Sequence, residues 1–544
     1  MKFFVSLIVA AFILSCNNSP QYDTVIRNGT IYDGTGDKPY VGDVAIKNDR
    51  IFAVGDVKGN GQNEIDATGK AVSPGFINML SWANISLLED GRSQGDIRQG
   101  VTLLVMGEGS SMGPLNEEMK KDMLNGQQEI KFDVPWTTLG EYLSHLEEKG
   151  VSTNVTSFVG NGTLRRHVLG YDNRKPTPQE LEQMKALLAK AMEEGAVGVS
   201  SSLLYAPSMH SDTEELIELS KVASAYDGMY ISHIRSEGNE LIESVDEVLS
   251  IAKEADIRAE IYHLKASSED NWPKLDTVFT MIDNARSKGL EITADMYTYN
   301  ASSTGLHVML PEWVREGGVE NMLERLRDPL KKEKAIKEIY WRVPAHGVLF
   351  VGFKNPELRK FLGKRLDEVA KEMNLPEDEA IVELILKDQS RIQVVYFSMS
   401  EDNIDKKIQQ PWMSFCSDAG SYSTEGVFLN QSTHPRAYGS FIRVLGLFSR
   451  DKKLFPLEEG IRRLTSFPAN NLKIKDRGLL KENYFADVVI FDPLIVNDKA
   501  TFEKPHQYAV GVEYVWVNGM AVLKNGEHTG TNAGRFVKGP GATK

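Results

Sequence analysis

Two periodicities divide the chain. Over residues 22 to 70, apolar and polar positions alternate in short runs. VIRNGTIYDGTG carries the N-G and D-G pairs of tight turns, and DVAIKNDRIFAVG alternates between further turn signals. Residues 485 to 526 repeat the style in FADVVIFD and GVEYVWVNGMAVLKNG. Two such segments at opposite ends can join into one small β-sandwich domain, or stand apart as separate hairpins. Between them, short apolar runs alternate with amphipathic helical stretches. The runs are AVSPGFINML, VTLLVMG, TNVTSFVG, AVGVSSSLLY, GMYISHI, AEIYHLK, LEITADMY and MSFCSDAG, eight in all. Leu241, Val245, Val248, Leu249, Ala252 and Ala255 share one helical face. Thr177-Pro178-Gln179-Glu180 reads as a helix start with a capping box. Eight buried strands alternating with helices predict an α/β fold, a (β/α)₈ TIM barrel. The gap from about 305 to 410 exceeds one connection and is expected to be an α-helical insertion. The expected division is 17–70 and 471–544 for the small β domain and tail, and 71–470 for the barrel.

Composition changes this picture little. Of 544 residues, 41% are hydrophobic and 25% charged, which is globular usage. A net charge of −14 disfavours nucleic acid as a partner. Residues 1–16, MKFFVSLIVAAFILSC, have a positive start and an apolar run too short to span a bilayer. They read as a signal peptide ending in a lipobox, with Cys16 as the lipidated residue and a polar tether after it. An ordinary signal peptide that happens to hold a cysteine is the alternative. The expected location is exported and lipid-anchored, in a bacterial periplasm or at the cell surface, with Cys16 as the one link to the membrane. Cys16 and Cys416 make no disulfide framework.

Barrels place their chemistry at the C-terminal ends of strands. Glu108 falls there for strand two, His233 for strand five, His263 for strand six, Asp295 for strand seven and Asp418 for strand eight. Two imidazoles and a carboxylate on neighbouring rims suit a borderline metal, zinc above all. Such a metal lowers the pKa of a water from 15.7 to about 7. A further carboxylate, Asp418, can move the proton. The pattern describes metal-assisted hydrolysis. Each residue also has a plainer reading: either histidine as a satisfied structural group, Glu108 as the partner of an arginine, Asp295 as a helix cap. For Asp295 the cap is preferred.

At this point the strings PGFINML, QGVTLLVMGEGSSMGP, GNGTLRR, SHIRSEG, YHLKA, TADMYTYNASSTGL, SDAG, HPRAYG, LTSFPANNLKIKDRGLL and FADVVIFDP become specific together. The chain resembles the N-acyl-D-amino-acid deacylases (D-aminoacylases) of the amidohydrolase superfamily from about residue 22 to 536. The resemblance implies a metal-bearing barrel with a small β domain built from both chain ends. It implies His233 and His263 as imidazole ligands of the tighter metal and Asp418 as general acid/base. Many members use a cysteine after strand two, and here Glu108 is the replacement. Arg436 matches the arginine that holds the substrate α-carboxylate, with Lys265 and Tyr297 placed to assist. One departure stands out. Where the superfamily has a His-x-His pair after PGFID, this chain has Leu80 and Trp82, and Asn78 replaces the aspartate. The expectation is about one zinc ion per chain, and a small-molecule substrate with a free carboxylate, an N-acyl-D-amino acid or small D-peptide, cleaved at its linear amide. The rivals are an inactive barrel that binds D-amino-acid derivatives, and a dipeptidase or cyclic-amide hydrolase.

Overall fold

The computed structural model describes residues 20–543. The segment expected to be a signal peptide, with Cys16, lies outside the described residues.

All eight expected runs form staves of one barrel. They are Phe76–Asn78, Val101–Met106, Asn154–Ser157 continuing in Val159–Gly160, Gly198–Ser202, Met229–His233, Arg258–Ile261, Ile292–Met296 and Met413–Phe415. Neighbours pair in parallel from the first to the third and from the third to the eighth. A parallel bridge between Ser81 and Ala419 closes the ring. Strands two, three, four, five and seven are buried at every residue, as a sheet covered on both faces requires.

The helices outside follow local signals. Pro178–Glu194 opens with the expected capping box: the Glu180 N–H donates to Thr177 Oγ1 at 3.3 Å, and the Thr177 N–H to Glu180 Oε2 at 2.7 Å. It ends on Gly195 in a left-handed conformation. Leu241–Glu254 buries Leu241, Val245, Val248, Ile251 and Ala252. Leu249 and Ala255 lie beside this face, Leu249 half-buried and Ala255 just past the helix end.

Strands from both ends of the chain form one hydrogen-bonded sheet of nine. Val488–Phe491 pairs antiparallel with Ala71–Pro74, which joins the C-terminal hairpins to the N-terminal ones. The separate-hairpin alternative is thereby removed.

The insertion departs from expectation because it is not helical throughout. Ser302–Gly305, Val348–Gly352 and Gln393–Tyr396 make a three-stranded antiparallel sheet. Five helices between Glu312 and Asp388 pack with it around Phe350, Ile381, Ile385, Val394 and Tyr396. The apolar, β-branched runs VLFV and QVVY suit a pleated surface better than a helix.

Candidate metal centre

Glu108 lies two residues past strand two, between Gly107 and Gly109, both at positive φ (98° and 60°). A Cβ on Gly109 would lie 2.1 Å from Ser202 Cβ, and one on Gly107 2.3 Å from the Phe158 carbonyl oxygen. Only glycines let this turn pack against strands three and four and aim Glu108 across the barrel mouth. His233 is the last residue of strand five. His263 lies two residues past strand six at φ 34°, sparsely populated backbone of the kind that clusters at functional sites.

The three side chains converge. Glu108 Oε1 is 2.8 Å from His233 Nδ1 and 3.0 Å from His263 Nε2, and the two nitrogens are 3.0 Å apart. Tetrahedral ligands at 2.0–2.1 Å from zinc sit roughly 3.3 Å from one another, so an ion fits after the trio spreads by a few tenths of an ångström. Among the described residues this is the one set of three or more His, Cys, Asp or Glu that could hold a metal. Two nitrogens and a carboxylate oxygen suit zinc.

The electrostatics favour positive charge at this point. Burial opposes ionisation of Glu108, but hydrogen bonds from His233 and His263 overcome it and hold the carboxyl below its usual range. Burial and Lys265 oppose protonation of His263, yet the acidic groups around it, Glu108, Glu237 and Asp418 among them, carry it up to about 9.

Behind the trio lies Glu237, a residue of the SHIRSEG string that no sequence signal singles out. Its Oε1 is 3.1 Å from His263 Nδ1 and pairs with Lys265 Nζ. Burial disfavours its charge, but Lys265, His233 and His263 together hold it well below the carboxylate range. A carboxylate on the outer nitrogen of a ligand histidine fixes the ring's tautomer and orientation. Lys265 is therefore engaged by Glu237 first, with its ammonium 5.6 Å from the centre of the Tyr297 ring.

Asp295 does not cap a helix. It is buried in strand seven and accepts the His263 backbone N–H at 2.7 Å. The expected cap is corrected because the left-handed turn at His263 needs an acceptor inside the barrel, not at a helix start. Glu108 meets two histidines and no arginine.

Asp418 follows strand eight at φ 48°, its N–H donated to the Leu80 carbonyl at 2.9 Å. Its Oδ2 is 2.7 Å from Arg436 Nη1, and its Oδ1 accepts from the Trp82 indole N–H at 3.1 Å. Arg436 opens the helix Arg436–Arg443, with its guanidinium carbon 4.5 Å from the Tyr297 ring centre. Its backbone N–H donates to His434 Nδ1 at 3.0 Å, and His434 Nε2 in turn meets the Ala301 carbonyl at 2.9 Å. Arg436 Nε and the Tyr297 hydroxyl are buried without partners, so both can serve a ligand. Leu80 is fully buried in the barrel core, whereas Trp82 is 42% exposed at the rim.

Comparison with known proteins agrees with this geometry. A family model described as the amidohydrolase family matches residues 432–523. The D-aminoacylase of Alcaligenes xylosoxydans xylosoxydans is 31% identical over 530 residues, 96% of this chain and 99% of that protein. A solved D-aminoacylase with a binuclear metal center, described by one-metal activation and second-metal attenuation, superimposes with a TM-score of 0.79 at 30% identity, covering 95% of this chain and 100% of that one. The N-acyl-D-glutamate deacylase of Bordetella bronchiseptica, complexed with zinc and a phosphonate inhibitor that mimics the tetrahedral intermediate, gives 0.79 at 28% identity, covering 95% and 99%. With a relative this similar along nearly its whole length, the chain belongs to the D-aminoacylase family of amidohydrolases.

Proposed function

We infer that the protein is a zinc-dependent hydrolase that cleaves the linear amide of N-acyl-D-amino acids. The observation that carries this reading is the convergence of Glu108, His233 and His263 within 3.0 Å on the barrel mouth. Relatives similar over nearly their full length bear the names D-aminoacylase, N-acyl-D-glutamate deacylase and N-acyl-D-aspartate deacylase. When bound by this trio, zinc supplies Lewis acidity for the amide carbonyl and for a water. Arg436 and Tyr297 hold the substrate carboxylate through their unpartnered donors, Arg436 by its planar fork. Lys265 adds positive charge behind Tyr297. Asp418 accepts a proton from the attacking water and returns it to the leaving nitrogen. Glu237 and Asp295 keep His263 in place. One ion per chain accords with these ligands.

Metal analysis tests the reading. Protein purified without chelator should carry about one zinc ion and release amino acid from N-acyl-D-amino acids. His233→Ala and His263→Ala should each lose most of the ion and the activity. An ion-free wild type, silent on that panel, would point to the binding-protein rival.

For location, we propose an exported protein anchored through lipid on Cys16, supported by the apolar run that stops at this cysteine. Wild type should incorporate labelled fatty acid in a bacterial host, and Cys16→Ala should not.

A further inference from the structure

The rim beside Asp418 holds something other than a second metal site. Leu80 offers no ligand atom, and an indole N–H only donates. Of the side chains of Leu80, Trp82 and Asp418, that of Asp418 alone has ligand oxygens, and both are engaged. Oδ1 takes the Trp82 N–H at 3.1 Å, and Oδ2 lies 2.7 Å from Arg436 Nη1. The Trp82 contact is built into the backbone. Strand one runs on past Asn78 and is joined to strand eight by the Met79 N–H on the Phe415 carbonyl at 3.2 Å. The Asp418 N–H on Leu80 follows at 2.9 Å, and the Trp82 N–H on Ala419 at 2.9 Å. These bonds fix the indole in register with Asp418, whose own backbone sits in the left-handed region.

We propose that Trp82 is a positioning residue that replaces a second metal: its indole N–H holds Asp418 in line, and its ring closes the position a second ion would need. This rests on the one-ion hydrolase reading above. Arg436 already sets one positive charge against Asp418; a neutral indole donor orients the carboxylate without adding a second, whereas a metal cation would bind it and weaken it further as a base. The solved D-aminoacylase described by second-metal attenuation supplies the contrast. This chain should be insensitive to excess zinc.

The test compares wild type, Trp82→Phe and the double variant Leu80→His/Trp82→His. Because Trp82 is 42% exposed, Trp82→Phe should fold. Bound zinc is counted after equilibration with excess metal and gel filtration. Wild type and Trp82→Phe should hold one ion, and the double variant two. The ¹⁵N indole resonance that disappears in Trp82→Phe should move in Asp418→Asn, whether or not the protein turns over. In turnover, Trp82→Phe should lose at least about tenfold in kcat with KM little changed, since roughly 1 Å of misplacement can cost on the order of 10². Activity of wild type should stay flat as zinc rises, while that of the double variant should fall. A second ion in wild type, an indole resonance indifferent to Asp418→Asn, or an unchanged kcat in Trp82→Phe would each overturn the proposal. A wild type with one ion and no activity would instead defeat the hydrolase reading, and the ion count and the resonance would still judge the role of Trp82.

Discussion

Arg436 has two claimants. In the structure it lies against Asp418, 2.7 Å from Oδ2, while its Nε is buried with no partner. Desolvation disfavours its charge, but Asp418, helped by Tyr297, Cys416 and Glu108, outweighs this and keeps the group cationic. A substrate carboxylate can occupy the open side of the fork while the Asp418 contact remains. Arg436→Ala should therefore cost about 3 kcal/mol in kcat/KM, on the order of a hundredfold, because a charge-assisted hydrogen-bond pair is lost. Lysine should restore little, lacking the planar fork. The check is a pair of substrates, the carboxylate and its carboxamide. Wild type should prefer the carboxylate strongly and Arg436→Ala should not; equal use of both by wild type would remove the clamp. Glu108, His233, His263 and Asp418 were legible in the sequence because each ends or follows an apolar run, where polarity is conspicuous, whereas Arg436, Lys265 and Tyr297 stood out only through the family resemblance. Glu237 was not, because it sits in IRSEGNE, a charged string that reads as an ordinary solvated loop. The Trp82–Asp418 hydrogen bond was not legible either, since it spans 336 positions and depends on how strand one meets strand eight.

The turn that carries Glu108 is a property of the strand-two element and of its contact with strand four. Gly109 has φ 60°, and its Cβ position is already filled by Ser202. Gly109→Ala combines left-handed strain with overpacking against backbone and should cost about 3 kcal/mol. Gly289 is the control. It follows the helix Lys274–Ser287 at φ 92°, and nothing lies within 4 Å of its Cβ position. Gly289→Ala should cost only about 1–2 kcal/mol. Thermal unfolding of the two variants compares them, and zinc content should fall in Gly109→Ala alone. Equal melting points would show that the Ser202 contact is soft. All eight barrel strands were readable because parallel strands buried on both faces are nearly continuous apolar runs. The insertion misled because its five helices supply most of the pattern. Its three strands span only four or five residues each, too few for their alternation to stand out.

At the scale of the whole molecule, the C-terminal tail holds the barrel at the starts of strands three and four, away from the metal centre. That ends would combine was legible from the matching turn-rich strands. How the last residues run was not, because AGRFVKGPGA has neither strand nor helix periodicity. The structure shows it laid along the start of strand three. The Val155 N–H donates to the Arg535 carbonyl at 3.0 Å and the Val537 N–H to the Val155 carbonyl at 2.9 Å. The Gly534 N–H reaches Val151 at 2.7 Å and the Gly539 N–H reaches Gly195 at 2.8 Å. A Cβ on Gly534 would stand 2.0 Å from the Thr153 carbonyl oxygen, so the approach is as close as backbone allows. Buried Asn518 ties the same corner together, donating to Asn154 Oδ1 at 2.8 Å and to the Ala533 carbonyl at 2.7 Å. Ending the chain after His528 removes five of these bonds, all but Asn518 to Asn154, and leaves buried groups of strand three unsatisfied. At about 0.5–1.5 kcal/mol per hydrogen bond, the loss should be roughly 3–6 kcal/mol, a large share of a typical folding free energy of about 5–15 kcal/mol. The melting temperature should drop by about 3–5 °C. The folded fraction should still bind one zinc ion, because the ligands stand at the opposite ends of the strands. A truncated protein that melts with the full chain would show that the tail merely lies on the barrel. One that stays folded but loses zinc would show that the two ends of the barrel are coupled.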